Sequence, residues 1–230
     1  MNPRANMKTE SVLIKATDLN DAWFQAIYAC VNQGFTYEID TGSYAGQQRK
    51  QLYNVTVEID FPGMRPLAPQ IPPGYGFPPP TNDEKIEKYF LEYLMNPEPR
   101  ENEQYTYGMY VASQLPAAIR ILKKGSGTNQ ACITVGDARS IELTDPPCLK
   151  LIDIKIAEGE LYFTLYFRSW DLFCGFPENL GGLQMLKEFV VSEVGNISDG
   201  KIIAHSSGLH LYDHCWDLAE IRVGKKEATK

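Results

Sequence analysis

The sequence predicts an α+β fold carried by one domain, and three observations support that expectation. Stretches with helical apolar spacing and stretches of strict alternation follow one another in irregular order, unlike a regular strand–helix repeat. One segment, Leu149 to Phe167, reads as a β-hairpin, so antiparallel pairing is expected. The 230 residues hold no repeat, low-complexity block or linker, which suits a single sizeable core.

Residues 1–9 read as a flexible leader and 10–230 as the domain. Asp18 to Asn32 reads as a helix. Asp18 or Asn20 caps it, Trp23, Ile27, Cys30 and Val31 form an apolar stripe, and Gly34 stops it. Gln51 to Phe61 reads as one strand, with Tyr53, Val55, Val57 and Ile59 alternating after Leu52. Pro66 to Pro80 is a proline-rich loop. Asp83 to Leu94 is expected to be helical, with Ile86, Phe90, Tyr93 and Leu94 on one face. Val111 to Lys124 follows as a helix that Pro116 starts or kinks and Gly125 ends.

In the hairpin, Ile152, Ile154 and Ile156 alternate outward to a turn at Glu158-Gly159, and Leu161, Phe163, Leu165 and Phe167 alternate back. Leu180 to Val194 is a helix with Leu183, Leu186, Val190 and Val194 on one face and Gly195 past its end. Lys201 to Tyr212 returns as a strand bearing His205, His210 and Tyr212.

Composition narrows the function classes. Hydrophobic residues are 43% and charged residues 22%, as in ordinary soluble proteins. The net charge of −7 argues against a nucleic-acid surface, which needs a basic stripe. A small anion remains compatible, since one or two buried arginines can hold it. No apolar run is long enough to span a membrane, and the N-terminus lacks the apolar core of a signal peptide. Five scattered cysteines (Cys30, Cys132, Cys148, Cys174, Cys215) without a Cys-x-x-Cys read as free thiols in a reducing cytoplasm. His210, His214 and Cys215 have metal-ligand spacing only on a helix, and the alternation there says strand, so no metal is expected.

The chemistry concentrates late in the chain. Cys148 ends the rigid run Asp145-Pro146-Pro147-Cys148, and Arg168-Ser169-Trp170-Asp171 and Gly175-Phe176-Pro177-Glu178-Asn179 follow downstream. A thiolate is a nucleophile, and a neighbouring arginine lowers a thiol pKa. The Asn179 carboxamide carries a donor and an acceptor, so it can read a ring edge that carries both, as uracil does. It can also cap the helix expected from Leu180.

These residues resemble the folate-dependent thymidylate synthases and their pyrimidine-nucleotide hydroxymethylase sisters. The match runs through Pro147-Cys148, Tyr166-Phe167-Arg168-Ser169-Trp170-Asp171, Gly175 to Asn179 and His210-Leu211-Tyr212, in the family's order. Tyr105-Thr106-Tyr107-Gly108 is similar to its Tyr-Gly segment. The compact archaeal-type branch is the nearest in wording.

The resemblance implies a mixed sheet packed against helices, dimerising through the sheet face. It implies that Cys148 attacks carbon 6 of dUMP, Arg168 and Ser169 hold the phosphate, and Asp171 orders the ring and its waters. It further implies that Asn179 bonds the uracil edge and that His210 and Tyr212 hold the deoxyribose hydroxyl. Tyr107 belongs to the network that removes the carbon 5 proton. Arg49, in the loop-like Gly42–Lys50 stretch, resembles the mobile phosphate-binding arginine. Glu87, or Glu84, would be the helix-borne glutamate. The implied one-carbon donor is 5,10-methylenetetrahydrofolate or a methanopterin-type equivalent.

Four features depart from the family. Gly127-Thr128-Asn129-Gln130 stands where paired arginines from a partner subunit are usual, with Lys123, Lys124 or Arg139 as substitutes nearby. Leu149 replaces the usual histidine after the cysteine. The tryptophan-rich segment near the folate is missing, and the chain ends at Lys230, without the usual closing segment. The expected activity is reductive methylation of dUMP to dTMP. The alternatives are 5-hydroxymethylation by the same covalent route and nucleotide binding without turnover.

Overall fold

The computed structural model describes residues 10–101 and 103–227, so the expected leader lies outside the described residues. β1 (Val12–Ala16) leads to α1 (Leu19–Gln33), which Asp18 starts by accepting the Asp21 N–H at 2.9 Å. Then come β2 (Phe35–Glu38), β3 (Gln48–Leu52) and β4 (Val55–Ile59). The proline-rich stretch holds no regular element. It precedes α2 (Asp83–Tyr89), a π-helical turn (Phe90–Leu94) and α3 (Gly108–Lys124). The chain continues through β5 (Cys132–Thr134), β6 (Leu149–Ala157), β7 (Glu160–Phe167), β8 (Trp170–Asp171) and α4 (Gly175–Val194). It closes with β9 (Ser198–Ser206), β10 (Leu209–Tyr212) and α5 (Trp216–Arg222).

Six strands form one mixed sheet in the order β1-β4-β9-β7-β6-β5, and four form another in the order β2-β3-β10-β8. The α+β class and the β6–β7 hairpin stand as expected, the latter turning through Glu158 and Gly159 at φ 53° and 80°.

Two expected strands are each divided. Gln51–Phe61 breaks at Tyr53-Asn54, where Asn54 takes φ 50°, a left-handed conformation that asparagine tolerates. Lys201–Tyr212 breaks at Ser207-Gly208. A third break, at Arg168-Ser169, separates β7 from β8.

The three breaks align. On one side Val55 and Phe167 both pair with Ser206; on the other Leu52 and Trp170 both pair with Leu209. Backbone bonds span the gap, from Ser207 N–H to the Phe167 carbonyl at 3.1 Å and from Trp170 N–H to the Gly208 carbonyl at 2.9 Å. The two sheets therefore share three strands that bend along one line, β3–β4, β7–β8 and β9–β10. The cause is a slip of phase: the buried pairs Leu52/Val55, Phe167/Trp170 and Ser206/Leu209 are each three residues apart, so an unbent strand would turn one member outward.

α1 lies at the centre of the helical layer, with Trp23 fully buried and its Nε1–H donating to the Leu172 carbonyl at 3.1 Å. α4 begins earlier than the sequence predicts, because the Asp171 carboxylate accepts the Phe173 and Gly175 N–H groups and caps it from upstream. Asn179 therefore sits inside α4 and is not its cap. α2 packs so closely on α4 that a Cβ at Gly182 would come within 2.4 Å of the Tyr89 ring and one at Gly181 within 2.8 Å of Ile86. Those two glycines let Tyr89 of α2 and the turn that follows it, with Tyr93, pack close to α4. Among the described residues no helix is long and apolar enough to cross a membrane.

Candidate active site

Cys148 stands at the bend. Its carbonyl accepts the Arg168 N–H at 2.9 Å, which ties the start of β6 to the break in β7. The register of β6 shifts between Leu149 and Leu151, a bulge of the kind that re-aims a side chain beside a site. Arg168 donates through Nε to the Pro147 carbonyl at 3.1 Å and through Nη2 to the Pro146 carbonyl, so its fork secures the turn that presents the thiol.

Burial pushes the Cys148 thiol above its ordinary pKa, while the Arg168, Arg49 and Lys150 cations act against that and Asp145 adds to it. The resting thiol is thus protonated at neutral pH, with cations placed to favour the thiolate.

Arg49 lies on β3, directly opposite Tyr212 of β10, and not in a loop as the sequence reading has it. The turn at Gly42–Gln47 ends before it, because Gln48–Leu52 pairs with strands on both sides. Its guanidinium donates to the Tyr212 hydroxyl at 3.1 Å and the Tyr37 hydroxyl at 3.4 Å and leaves a buried Nε without a partner. Ser43 hydrogen-bonds Asp145, which joins the Arg49 turn to the cysteine turn.

His210 is buried, and its Nδ1 meets the Gly208 carbonyl at 3.1 Å. That contact places the proton on Nδ1 and leaves Nε2 a buried acceptor with no partner. Burial, with Arg49 next in effect, pushes its pKa down to about 3, so the ring is neutral. Tyr212 stacks on Tyr44 with ring centroids 4.3 Å apart.

Asn179 is oriented by a residue the sequence reading gave no role. The Trp170 indole N–H donates to Asn179 Oδ1 at 3.0 Å, and Trp170 itself is clamped on Phe167 at 3.9 Å between ring centroids. Because an indole can only donate, the amide orientation follows, with Oδ1 toward Trp170 and the NH2 group toward the Tyr89 hydroxyl. Asp171 and Asn179 both flank Gly175, whose hypothetical Cβ would sit 3.3 Å from Asp171 Cβ and 3.7 Å from Asn179 Oδ1. Burial raises the Asp171 pKa, against backbone hydrogen bonds that lower it. Ser169 lies within the bend beside Arg168.

The Tyr107 hydroxyl accepts the Leu149 N–H at 3.2 Å, one residue from the thiol, and burial drives its pKa far up. Tyr93 packs on its ring at 5.0 Å and Tyr105 at 6.1 Å, which makes a tyrosine cluster against the cysteine. Glu87 is not part of this assembly. Glu87 and Glu84 stand on the exposed side of α2, and among the described residues no hydrogen bond or ion pair joins either to the cluster. The packed positions of α2 are Ile86 and Tyr89, because those face α4. The acid beside Asn179 is Glu178, half-buried, hydrogen-bonded by Thr81 at 3.3 Å and raised in pKa by burial. Its position next to Asn179 was the only signal for it in the sequence.

Thus Cys148, Arg168, Ser169, Asp171, Asn179, Tyr107, Arg49, His210 and Tyr212 come together around the bend, and Glu87 does not. Nucleophile, cations, a neutral histidine acceptor and a fixed amide suit a phosphorylated ring with a hydroxyl-bearing sugar.

Comparison with known proteins points the same way. The model of a thymidylate synthase family matches residues 94–230. A protein of Methanococcoides burtonii named "Putative thymidylate synthase" is 30% identical over 215 residues, 90% of this chain and 93% of its own length. Proteins carrying the same name in Methanosarcina acetivorans and Methanothermobacter thermautotrophicus are each 29% identical over 90% of this chain, and over 93% and 96% of their own lengths.

Proposed function

The chain belongs to the thymidylate synthase family, and from that premise we propose that it methylates dUMP to dTMP through a covalent bond from Cys148. The observation that carries this reading is the convergence of the Cys148 thiol with the Arg168 and Arg49 cations and the Tyr107 hydroxyl at one bend of the sheet. Arg49, Arg168 and Ser169 receive the phosphate. His210 Nε2 accepts from the sugar hydroxyl, which its neutral ring permits, and Tyr212 donates beside it.

The thiolate adds to carbon 6, and the electron pair moves onto the ring oxygen as an enolate. The Asn179 amide N–H faces that oxygen, and a donor at such a developing charge is worth about 3 kcal/mol. Tyr107 and Asp171 hold water toward carbon 5, whose proton is lost in a later step. A folate-type donor supplies the one-carbon unit and the hydride.

Residues beside the bend fit such a donor. Lys85, Lys88, Tyr89, Glu92, Tyr93, Arg100, Glu103 and Glu178 line a cavity of about 290 Å³, with Arg100 paired to Glu92. The Tyr89 and Tyr93 rings suit a pterin or a benzoyl ring, and Lys85 and Lys88 suit an acidic tail. The reaction takes place in one domain over residues 10–230. Two copies appose the outer face of the six-stranded sheet, where Leu13 is 60% and Tyr166 38% exposed.

The test is tritium release from carbon-5-labelled dUMP with methylenetetrahydrofolate or a methanopterin analogue, and product identification by mass. Release with a methyl product is expected. A hydroxymethyl product would replace the reading with hydroxymethylation, and binding without release would reduce it to nucleotide binding.

A further inference from the structure

Tyr89 ends α2 with its ring wedged against α4, where a Cβ at Gly182 would come within 2.4 Å of its Cδ1 and 2.9 Å of its Cε1. The ring also stacks on Tyr93, with centroids 5.4 Å apart. Its hydroxyl is buried and, among the described residues, makes no hydrogen bond of standard geometry. An unmet hydroxyl in a packed place costs stability and points to a partner that the working state supplies. Asn179 stands three residues before Gly182, on the same face of α4. The Tyr89 ring edge at Gly182 therefore lies beside the Asn179 amide. With Oδ1 held by the Trp170 indole at 3.0 Å, the NH2 group is the end turned to Tyr89.

We propose that Tyr89 is a positioning residue: its hydroxyl oxygen accepts one hydrogen of the Asn179 NH2 group when a pyrimidine seats, and so fixes the amide that selects uracil over cytosine. This deepens the dUMP reading of the site and rests on it. Trp170 decides which way the amide points, because a reversed amide would set its NH2 group against an indole N–H. Tyr89 decides how far the amide can tilt, because it meets the opposite end. Held at both ends, the amide offers its second oxygen lone pair and its second N–H side by side. Uracil matches that order with its N3 N–H and its C4 oxygen. Cytosine reverses both, with a bare N3 and a C4 amino group, so acceptor meets acceptor and donor meets donor. A site that hydrogen-bonds one edge in a fixed order rejects the reversed edge strongly.

The surroundings hold Tyr89 to that task. Its ring cannot swing away from α4, because Gly182 backs one edge and Tyr93 covers one face. Tyr93 in turn packs edge-on to Tyr107 at 5.0 Å, and the Tyr107 hydroxyl accepts the Leu149 N–H beside Cys148. A ladder of rings thus joins the Asn179 amide to the segment that carries the thiol. Burial keeps the Tyr89 hydroxyl protonated, so it meets the amide as a neutral acceptor and brings no charge beside the ring.

The experiment compares the full-length protein with Tyr89→Phe, which keeps the ring, the Tyr93 stack and the Gly182 contact and removes one oxygen. Calorimetry measures dUMP and dCMP affinity for each, and Asn179→Ala with the double variant completes a cycle. Tyr89→Phe is expected to lose about tenfold of the preference for dUMP over dCMP. Its denaturant midpoint should equal or exceed the parent's, because an unmet buried hydroxyl has gone. In the Asn179→Ala background the same change should leave the preference where it was. An unchanged preference in Tyr89→Phe would overturn the proposal, as would an equal loss with and without Asn179. A lowered midpoint would overturn it too, by making the hydroxyl a structural partner. The nucleotide reading fails separately, in a parent protein that binds neither dUMP nor dCMP, whereas failure of the Tyr89 proposal alone leaves the parent binding dUMP.

Discussion

The six-stranded sheet and the four-stranded sheet share three bent strands and differ in what those strands carry. In the larger one, β6, β7 and β9 run eight or nine residues, and Ile152, Ile154, Phe163, Leu165, Ile202 and Ala204 bury in alternation against the helices. In the smaller one, no strand exceeds five residues; Arg49 and Tyr212 hold each other side chain to side chain, while Asp171 and His210 are held by backbone groups. The larger sheet supplies stability through apolar burial. The smaller sheet keeps two buried polar atoms without a partner, Arg49 Nε and His210 Nε2, which cost stability and which the proposed nucleotide would meet. The bend separates the two tasks.

That division can be tested by substitution. At the bend itself, Cys148→Ser should lower dUMP turnover by about 10⁴-fold or more, since a hydroxyl is a far weaker nucleophile. Calorimetry should find dUMP affinity within a few-fold of the parent, and full tritium release in this variant would refute the covalent route. In the larger sheet, Phe163→Ala should cost about 3–5 kcal/mol of stability by denaturant titration. Its kcat/KM at low temperature should stay within about twofold. A large loss of kcat/KM there would erase the contrast between the sheets.

The smaller sheet should show a pH signature. His210 has its pKa lowered from 6.5 to about 3 on folding, so its contribution to stability is present above pH 6.5 and is lost as pH falls toward 3. Each unit in that window is worth about 1.4 kcal/mol, or about 2 kcal/mol between pH 6.5 and 5. Denaturant midpoints should shift accordingly, and His210→Gln should remove that part of the slope. The smallest effect is expected for Trp170→Phe, which keeps the stack on Phe167 and deletes the indole donor. With Asn179 Oδ1 no longer oriented, kcat/KM for dUMP should drop about tenfold, roughly 1.4 kcal/mol, with KM and kcat both affected. An unchanged value would remove Trp170 from the account of specificity.

The legibility of the chain follows the same boundary. Alternation announced the β6–β7 hairpin, including its Glu158-Gly159 turn, because period-2 burial on one flat face is a local property. Helical spacing with Asp18 and Gly34 at its ends announced α1. The division of Gln51–Phe61 and Lys201–Tyr212 was not read, although the three-residue spacing of Leu52/Val55 and Ser206/Leu209 marks it. In a single strand such a slip looks like noise. It gains meaning when Phe167/Trp170 repeats it at the same level of a neighbour.

The candidate site residues Cys148, Arg168, Asp171 and Asn179 stand out in the sequence because their order along the chain resembles a family pattern, and the fold brings them to the bend. The resemblance implies a glutamate at Glu87 or Glu84, but the close packing at Gly181 and Gly182 turns Ile86 and Tyr89 of α2 inward and leaves both acids exposed. Trp170 and Glu178 went unassigned because orientation and burial depend on neighbours distant in sequence.

Sequence alone determined the α+β class, the principal helices and the residue types needed for thiol chemistry, since propensity, periodicity and nucleophilicity belong to short segments or single side chains. Tertiary structure decided where those residues meet. Three strands had to slip phase at one level before the chain could bend, and only that bend sets the Arg49 guanidinium and the His210 acceptor on the same side as the thiol. Register between strands is a cooperative property of all of them, and no single segment contains it.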